Sequence, residues 1–582
     1  MSLSALDRST HLARIPASPY DLVVVGGGIV GAAAAWDAAS RGLRTLLVEK
    51  GDFASGASSK SSKLLHGGLR YLEMGHVGLV YESLSQRNHL FHDATHVADR
   101  VKFLFPVFRG SRPLSPVLRL GLLLYDLLSH VTFPGGPWHR RLGAIRARQA
   151  EPALKAGGLL AAFTYEDGVT EDARLVIETL KSAVAAGADV LNHARVVAFE
   201  RDARGHVRGV CLQDELEPQA PPLVATAGRV LLAVGPWTDA LLRLDDPQAQ
   251  PRLRPTKGAH LLVRAMLTDH AVLMRSADPN EGKPRLMFAV PWQGRTLLGT
   301  TDTDPVAADP ARTYLDADCE VSREETRYIL DAANATFGVQ LTPADVVSSF
   351  AGWRPLVAPP TAGLSASAVS REHEIFETPS GLLAVAGGKL TSYRTMARQA
   401  VDRAVKRLEP ARRAALAPTN IERSPVSGSE LAGCSLEAWV EAAAADGAAP
   451  LAPAAVRTLS RRYGSNWPVL RELLLANPSL AAPLDASAGE AHHWHVEVVY
   501  AMTHEGAALP EDFLMRRTRL YLVAEDQGLG VLPAVTATMA AELVKAHGWS
   551  DERRARWVEQ AQARYEAAVA RGRASRAASA SS

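Results

Sequence analysis

Residues 21–68 constrain the fold more than any other part of the chain. Leu22-Val23-Val24-Val25 is short, apolar and β-branched, the composition of a strand buried on both faces. It runs into Gly26-Gly27-Gly28-Ile29-Val30-Gly31, a G-x-G-x-x-G turn. Ala32 to Ala39 favours helix, and Gly42 ends it. Thr45-Leu46-Leu47-Val48-Glu49 reads as the next strand, closed by an acid about twenty residues after the glycines. Strand, glycine turn, helix, strand and acid, in that order, make a dinucleotide-binding unit. Gly26 permits the tight turn, Gly28 lets the backbone approach a pyrophosphate, and Gly31 lets the helix pack close to the strand. The free N–H groups and positive dipole end of that helix suit phosphates, and Glu49 is placed to accept from ribose hydroxyls. The plain alternative is a glycine-rich loop with no ligand.

This unit alone does not separate NAD from FAD. Residues 55–71 follow, a stretch dense in small hydroxyl residues, glycines and bases. It can wrap a flavin diphosphate and ribityl chain with hydroxyl and N–H donors. Taken alone, it also suits a flexible loop.

Composition narrows the function. A chain of 582 residues is long enough for two or three domains and a large core. Lys plus Arg is 64 against 62 for Asp plus Glu, which offers no argument for nucleic acid. Cys211, Cys319 and Cys434 are far apart, so a thiol redox pair, a zinc site and a disulfide framework are unsupported, and a reducing compartment is expected. No cluster has metal-ligand spacing, and no metal is expected. Met1 to Pro19 has no apolar core of a secretory signal and is expected to be a loose arm. No stretch approaches eighteen apolar residues. The nearest, Leu118 to Leu128, is broken by Arg119 and Asp126 and reads as a buried helix or, more sharply, an interfacial one.

Asp172 to Ala186 reads as an amphipathic helix, and Asp189–Glu200, Val207–Leu212 and Arg229–Val234 as strands. The last returns to a glycine turn at Gly235. Ala259–Arg264, Leu286–Val290 and Arg295–Gly299 suit an antiparallel sheet. Gly381–Ala386 is a further strand, entering Gly387-Gly388 and then a helix from about Thr391. Ala411 to Pro425 looks like a linker.

Several specific motifs occur in order. They are Ser61-Ser62-Lys63-Leu64-Leu65-His66-Gly67-Gly68-Leu69-Arg70-Tyr71, Glu171-Asp172-Ala173-Arg174-Leu175, Gly235-Pro236-Trp237, Lys257-Gly258-Ala259-His260, Gly299-Thr300-Thr301-Asp302, Gly352-Trp353-Arg354-Pro355-Leu356 and Gly387-Gly388-Lys389-Leu390-Thr391-Ser392-Tyr393-Arg394. With Arg516-Arg517-Thr518-Arg519-Leu520, they closely resemble the FAD-dependent, aerobic, quinone-linked glycerol-3-phosphate dehydrogenase family over nearly the whole chain. Lys60 beside the serines and Trp353 before Arg354 depart from that pattern.

The resemblance implies an α/β fold with a discontinuous FAD-binding Rossmann-like domain of the glutathione-reductase and D-amino-acid-oxidase type. An antiparallel β-rich substrate domain and a C-terminal α-helical domain accompany it. The expected limits are 18–95, 165–245 and 350–405 for FAD binding, and 96–164 and 246–349 for the substrate domain or lid. Residues 426–565 are expected to form the helical domain and 566–582 a disordered tail.

The implied reaction oxidises sn-glycerol 3-phosphate to dihydroxyacetone phosphate, moving hydride from C2 to flavin N5 and electrons to a membrane quinone. The implied place is cytoplasmic, peripheral to the inner face of the plasma membrane, and a homodimer is allowed. The rival readings are an oxidase reducing oxygen, an amine or amino-acid oxidase, and a flavin-binding scaffold without catalysis.

FAD contacts are expected from Gly26, Gly28, Gly31, Glu49, Lys50, Ser58, Ser61, Ser62, Lys63, Leu64, His66, Gly67, Val196, Gly235, Gly388, Lys389, Leu390 and Thr391. Arg70, Tyr71, Thr301, Arg354, Arg371 and Lys389 are expected to bind substrate. Phosphate favours arginine, with its bidentate fork, so Arg354 and Arg371 are its expected partners, with Arg70 nearby. His260 is the first choice of general base and His66 the second, with Arg354 and Lys389 as catalytic cations. Lys389, before a helix N-terminus, is placed to stabilise an anionic reduced flavin.

Overall fold

The computed structural model describes residues 3–17, 19–73, 75–110, 115–277, 284–304, 319–358, 372–485 and 493–580. The Tyr20–Val25 strand pairs in parallel with Thr45–Val48 on one side and Leu223–Leu232 on the other. Asp189–Leu191 and Leu383–Gly387 extend the sheet in parallel, and His373–Glu377 closes one edge antiparallel. One nucleotide-binding sheet is thus assembled from three separated stretches of chain.

Side-chain alternation explains why its strands are apolar throughout. Leu22, Val24 and Leu47 pack under the helices Ile29–Ser40, Asp172–Ala185 and Tyr393–Val405. Val23, Val25, Leu46 and Val48 pack against an antiparallel meander of Ala194–Arg201, Val207–Asp214 and the start of Leu223–Leu232. The expected strand over 189–200 is in fact two. His193 takes a left-handed φ of 49° and breaks it, directing Ala194–Arg201 into the meander.

The second sheet runs Val346–Arg354, Thr256–Arg264, Arg295–Gly299, Pro284–Trp292, His270–Ala277, Ala98–Phe108, Leu159–Thr170 and Leu64–Leu65. It is mainly antiparallel. Leu159–Thr170 and Val346–Arg354 both run past the expected limits of the substrate domain, and Leu64–Leu65 ties the cofactor loop to this sheet.

Three stretches read as loose are packed. Before the first strand, Leu3 and Ile15 are buried, and Arg8 pairs with Asp214 at 2.7 Å. The expected linker buries Ile421, and Arg412 pairs with Asp21 at 2.6 Å. The expected tail from 566 is not disordered: the Asp551–Ala580 helix continues through it, Val569 is buried, and Arg573 Nε donates to Gln527 at 3.0 Å. Low hydrophobicity hid the end of this helix, because three buried residues one turn apart, Ala561, Tyr565 and Val569, suffice to seat it.

The C-terminal helices enclose a buried carboxylate, Glu497. Tyr463 donates to it at 3.0 Å and Arg462 at 2.5 Å, with His493 at 3.1 Å. Burial opposes ionisation, but Arg462 and His493 hold the carboxyl well below the usual range. Its folded pKa lies under the unfolded one, so its stabilisation is present above about pH 4.3 and lost as pH falls further. The wild-type Tm is expected to fall more steeply below about pH 5 than that of Glu497→Gln, which is less stable at pH 7. Parallel Tm curves would remove Glu497 from the acid response.

Candidate active site

A cavity of about 380 Å³ opens at the carboxyl end of the Tyr20–Val25 strand. Gly26 carries a φ of 112°, and a Cβ there would lie 2.5 Å from the Ala233 carbonyl oxygen. The Ile29–Ser40 helix begins at Gly28 with no side-chain cap, so its N-terminus faces the cavity as an anion site. Ser58 Oγ accepts from the Ile29 N–H at 3.0 Å. Glu49 accepts from Gly27 N–H at 2.7 Å and Gly51 N–H at 3.0 Å; burial raises its pKa and those N–H groups oppose the rise. Lys50 Nζ stands 4.2 Å over the Trp237 ring.

Of the expected cofactor residues, Gly26, Gly28, Glu49, Lys50, Ser58, Ser61, Val196, Gly235, Gly388, Lys389 and Leu390 line this cavity. The donor set fits a flavin dinucleotide: an uncapped helix end and a serine at one part, a carboxylate at another, a lysine after a glycine pair at a third. Trp237, Pro355 and Met396 also line it and were not singled out. Trp237 lay inside a recognised motif, and its position after the strand's glycine was the available signal.

Gly31, Ser62, Lys63, Leu64, His66, Gly67 and Thr391, also expected to contact the cofactor, are not among the residues that line this cavity. A Cβ at Gly31 would lie 1.9 Å from the Gly26 carbonyl oxygen. Lys63 is fully buried, with Nζ 2.7 Å from both Asp172 Oδ2 and the Ser59 carbonyl. Burial first, then Arg519, pushes its pKa down to about 7. Asp172 also accepts from Ser61 Oγ at 2.7 Å and from Arg519 Nη2 at 2.5 Å. Arg519 Nη2 reaches the Ser59 carbonyl as well, at 3.0 Å, so the C-terminal domain grips the cofactor loop directly. Gly67 N–H donates to Tyr125 Oη at 2.9 Å. Leu64 pairs with Val169, His66 lies 6.0 Å from the Phe288 ring, and Thr391 is buried in the Leu390–Ser392 turn. Ser62 Oγ lies 2.9 Å from His260 Nε2.

On the substrate side, Lys389 Nζ sits 3.9 Å over the Tyr71 ring and 3.3 Å from Ser83 Oγ. Arg354 lies across Gly258, where a Cβ would meet its guanidinium at 2.2 Å. Its Nη1 donates to Asp302 Oδ1 at 3.1 Å and its Nη2 to Thr300 Oγ1 at 2.9 Å. Gly299 makes equivalent room for His260, whose Cδ2 lies 2.4 Å from the position of an added Cβ. The motif glycines therefore serve the functional side chains of neighbouring strands.

His260 stacks on Phe350 at 4.8 Å, and its Nδ1 has no hydrogen-bond partner among the described residues. Burial, then the charges of Arg354 and Lys63, lower its pKa well below 6.5, so the imidazole is neutral at pH 7. The Thr301 hydroxyl is taken up inside the protein, accepting from Ala259 N–H at 3.0 Å and lying 3.2 Å from Glu325. Arg70 opens the Arg70–Glu73 helical turn, and Arg371 lies outside the described residues.

Among the described residues, Asp52, His193 and Asp512 have the spacing of metal ligands. Arg516 and Arg517 already neutralise Asp52, and Arg516 also pairs with Asp512 at 2.9 Å. The cluster is an interdomain ion network.

A family model described as FAD dependent oxidoreductase matches residues 21–403, and one described as the C-terminal domain of alpha-glycerophosphate oxidase matches 421–554. The aerobic glycerol-3-phosphate dehydrogenase of Staphylococcus haemolyticus is 35% identical over 531 residues, 90% of each chain. Glycerol-3-phosphate dehydrogenase 2 of Mycobacterium bovis is 35% identical over 575 residues, covering 98% of this chain and 92% of its own. The X-ray structure of the glycerol-3-phosphate dehydrogenase from Bacillus halodurans complexed with FAD is similar with a TM-score of 0.72 and 29% identity, covering 96% and 97% of the two chains. The chain belongs to the FAD-dependent glycerol-3-phosphate dehydrogenase family.

Proposed function

We propose that this protein oxidises sn-glycerol 3-phosphate to dihydroxyacetone phosphate at the inner face of the plasma membrane, with FAD accepting hydride from C2 at N5 and passing the electrons to a membrane quinone. The observation that carries the reading is a dinucleotide cavity with Lys389 in its lining and Arg354 one residue before its lining Pro355. Arg354 is fixed by Asp302, Thr300 and the Lys257 and Thr301 carbonyls, and a phosphate would take over part of that set from an already oriented guanidinium. Lys389, ahead of the Tyr393–Val405 helix, adds positive charge where negative charge develops. His260, neutral at pH 7, receives the hydroxyl proton through Ser62.

Anaerobic mixing with sn-glycerol 3-phosphate is expected to bleach the flavin absorption, with glycerol inactive; no bleaching of flavin-loaded protein would overturn the substrate. Reoxidation by a quinone analogue faster than by oxygen is expected. The C-terminal match to an oxidase domain favours oxygen as the second reading, which the opposite ratio would support. Arg354→Ala is expected to lower kcat/KM about a hundredfold or more, the loss of a charge-assisted contact of about 3 kcal/mol. An unchanged kcat/KM would remove Arg354 from the site.

A further inference from the structure

We infer that Lys60 is a second cation for the substrate's phosphate, acting beside Arg354. The inference rests on the proposed oxidation of glycerol 3-phosphate and names a further residue for it. Three glycines on one face of the second sheet each leave room for a side chain from elsewhere. Gly258 admits Arg354, and Gly299 admits His260. Gly352 does the same for Lys60: a Cβ there would lie 2.7 Å from the lysine Cβ and 3.3 Å from its Cδ. The lysine stem is thus laid over strand backbone, and the residue is half-buried. Gly258 and Gly352 are direct partners where Thr256–Arg264 pairs with Val346–Arg354. Side chains at directly opposed positions share a face and lie about 5 Å apart. The Arg354 guanidinium and the Lys60 stem therefore fill two neighbouring side-chain positions that glycine leaves empty. His260 and Phe350 form the next row of the same face, about 7 Å along the strands. A proton acceptor and a pair of cations at that separation match a secondary alcohol on the carbon next to a phosphate ester.

Charge and rigidity support the pairing. Like charges on opposed positions of a sheet repel, and an anion between them reverses that cost. Asp302 divides its carboxylate between Arg354 and Arg285, at 3.1 Å each, and Glu325 is taken by Lys257 at 2.8 Å. A phosphate dianion complements two cations, since the arginine fork takes two oxygens and the lysine acts as a point charge on the third. The backbone on both sides of Lys60 is anchored. Its own N–H donates to the Ala57 carbonyl at 3.1 Å. The Ser59 carbonyl before it accepts from Lys63 and Arg519, and Ser61 after it donates to Asp172. Only the end of the side chain is left to order when phosphate binds, which keeps the entropic cost of the contact low.

The test compares Lys60→Met and Lys60→Arg with the wild type, each as full-length, flavin-loaded protein oxidising sn-glycerol 3-phosphate with a soluble dye. Methionine keeps the stem over Gly352 and removes the charge. Lys60→Met is expected to raise KM about tenfold and to leave kcat within about twofold, the signature of lost binding away from the reacting atoms. Lys60→Arg is expected to return KM to within about threefold of wild type, because the charge is restored. Rates are taken per bound flavin, so a change in flavin retention does not enter them. An unchanged KM in Lys60→Met, or a fall in kcat alone, overturns the proposal. A KM as high in Lys60→Arg as in Lys60→Met assigns the effect to packing over Gly352 and overturns it too. Calorimetric titration of the resting protein with inorganic phosphate separates this proposal from the reaction it rests on. Binding about tenfold weaker in Lys60→Met is expected there as well. That result in a wild type that oxidises no glycerol 3-phosphate would sink the proposed reaction and leave Lys60 as a phosphate cation.

Discussion

Gly31→Ala is expected to yield protein that retains almost no flavin. The added Cβ would sit 1.9 Å from the Gly26 carbonyl oxygen and 3.1 Å from its carbon. Both are backbone atoms, so no side chain can swing aside. The helix must move off the strand by roughly 1 Å or more in an interior with no slack. Overpacking of this kind costs about 1–3 kcal/mol in stability. It also displaces the uncapped helix end on which phosphate binding depends. Flavin affinity is expected to fall a hundredfold or more, read as the visible-to-ultraviolet absorbance ratio of purified protein. Gly28→Ala separates the two glycine roles. Its Cβ meets only Ser58 Oγ, at 3.1 Å, the end of a rotatable side chain, so any loss there reports crowding of the ligand. A full flavin complement in Gly31→Ala would refute the close helix–strand contact as a requirement for binding.

Asp172→Ala is expected to have the largest effect on folding, a loss of about 3–5 kcal/mol, because it strands two buried cations. Lys63 and Arg519 both end on this carboxylate, at 2.7 and 2.5 Å, and Ser61 donates to it as well. Burial opposes its ionisation, but Lys63 and then Arg519 hold its pKa low, so it is charged throughout the neutral range. Removing it loosens the Ser58–Lys63 stretch and leaves the Ser59 carbonyl as Arg519's remaining hold on the loop. Urea unfolding should show the lower midpoint, and weaker flavin retention should accompany it. Lys63→Met with Arg519→Met in the same background removes the stranded charges and is expected to recover part of the loss. A change below about 1 kcal/mol in Asp172→Ala would show that the network contributes nothing net.

How much was legible depended on the range of the constraint. The first nucleotide-binding unit was readable because backbone sterics and helix-end geometry act within about thirty residues. The strand at 295–299 and the helix beginning at Asp172 followed from local pattern in the same way. The break at His193 was not readable, because that residue is held from the far end of the chain by Asp512 at 3.0 Å.

Site residues divided along the same line. Gly26, Gly28, Glu49, Ser58, Gly388 and Lys389 line the cavity. Thr301 sits in an equally specific motif, yet its hydroxyl is engaged inside the protein by Ala259 and Glu325. A motif records which residues are needed; which way each one faces is set by the neighbouring strand. Gly258 and Gly299 show this well, since each is empty to admit a side chain from elsewhere, Arg354 and His260 respectively.

By itself, then, the sequence determined the cofactor-binding unit, the family and the order of the motifs, all consequences of short-range geometry. Only the tertiary structure decided which apolar residues are covered. The Ser115–Thr132 helix carries more apolar residues than one buried face can cover, and local pattern does not say which of them are covered. It took the packing of Leu118, Leu122 and Tyr125 to leave the other leucines outside. Likewise only folding could bring Arg519 to Asp172 across 347 residues, because charge pairing in a buried site has no signature in local sequence.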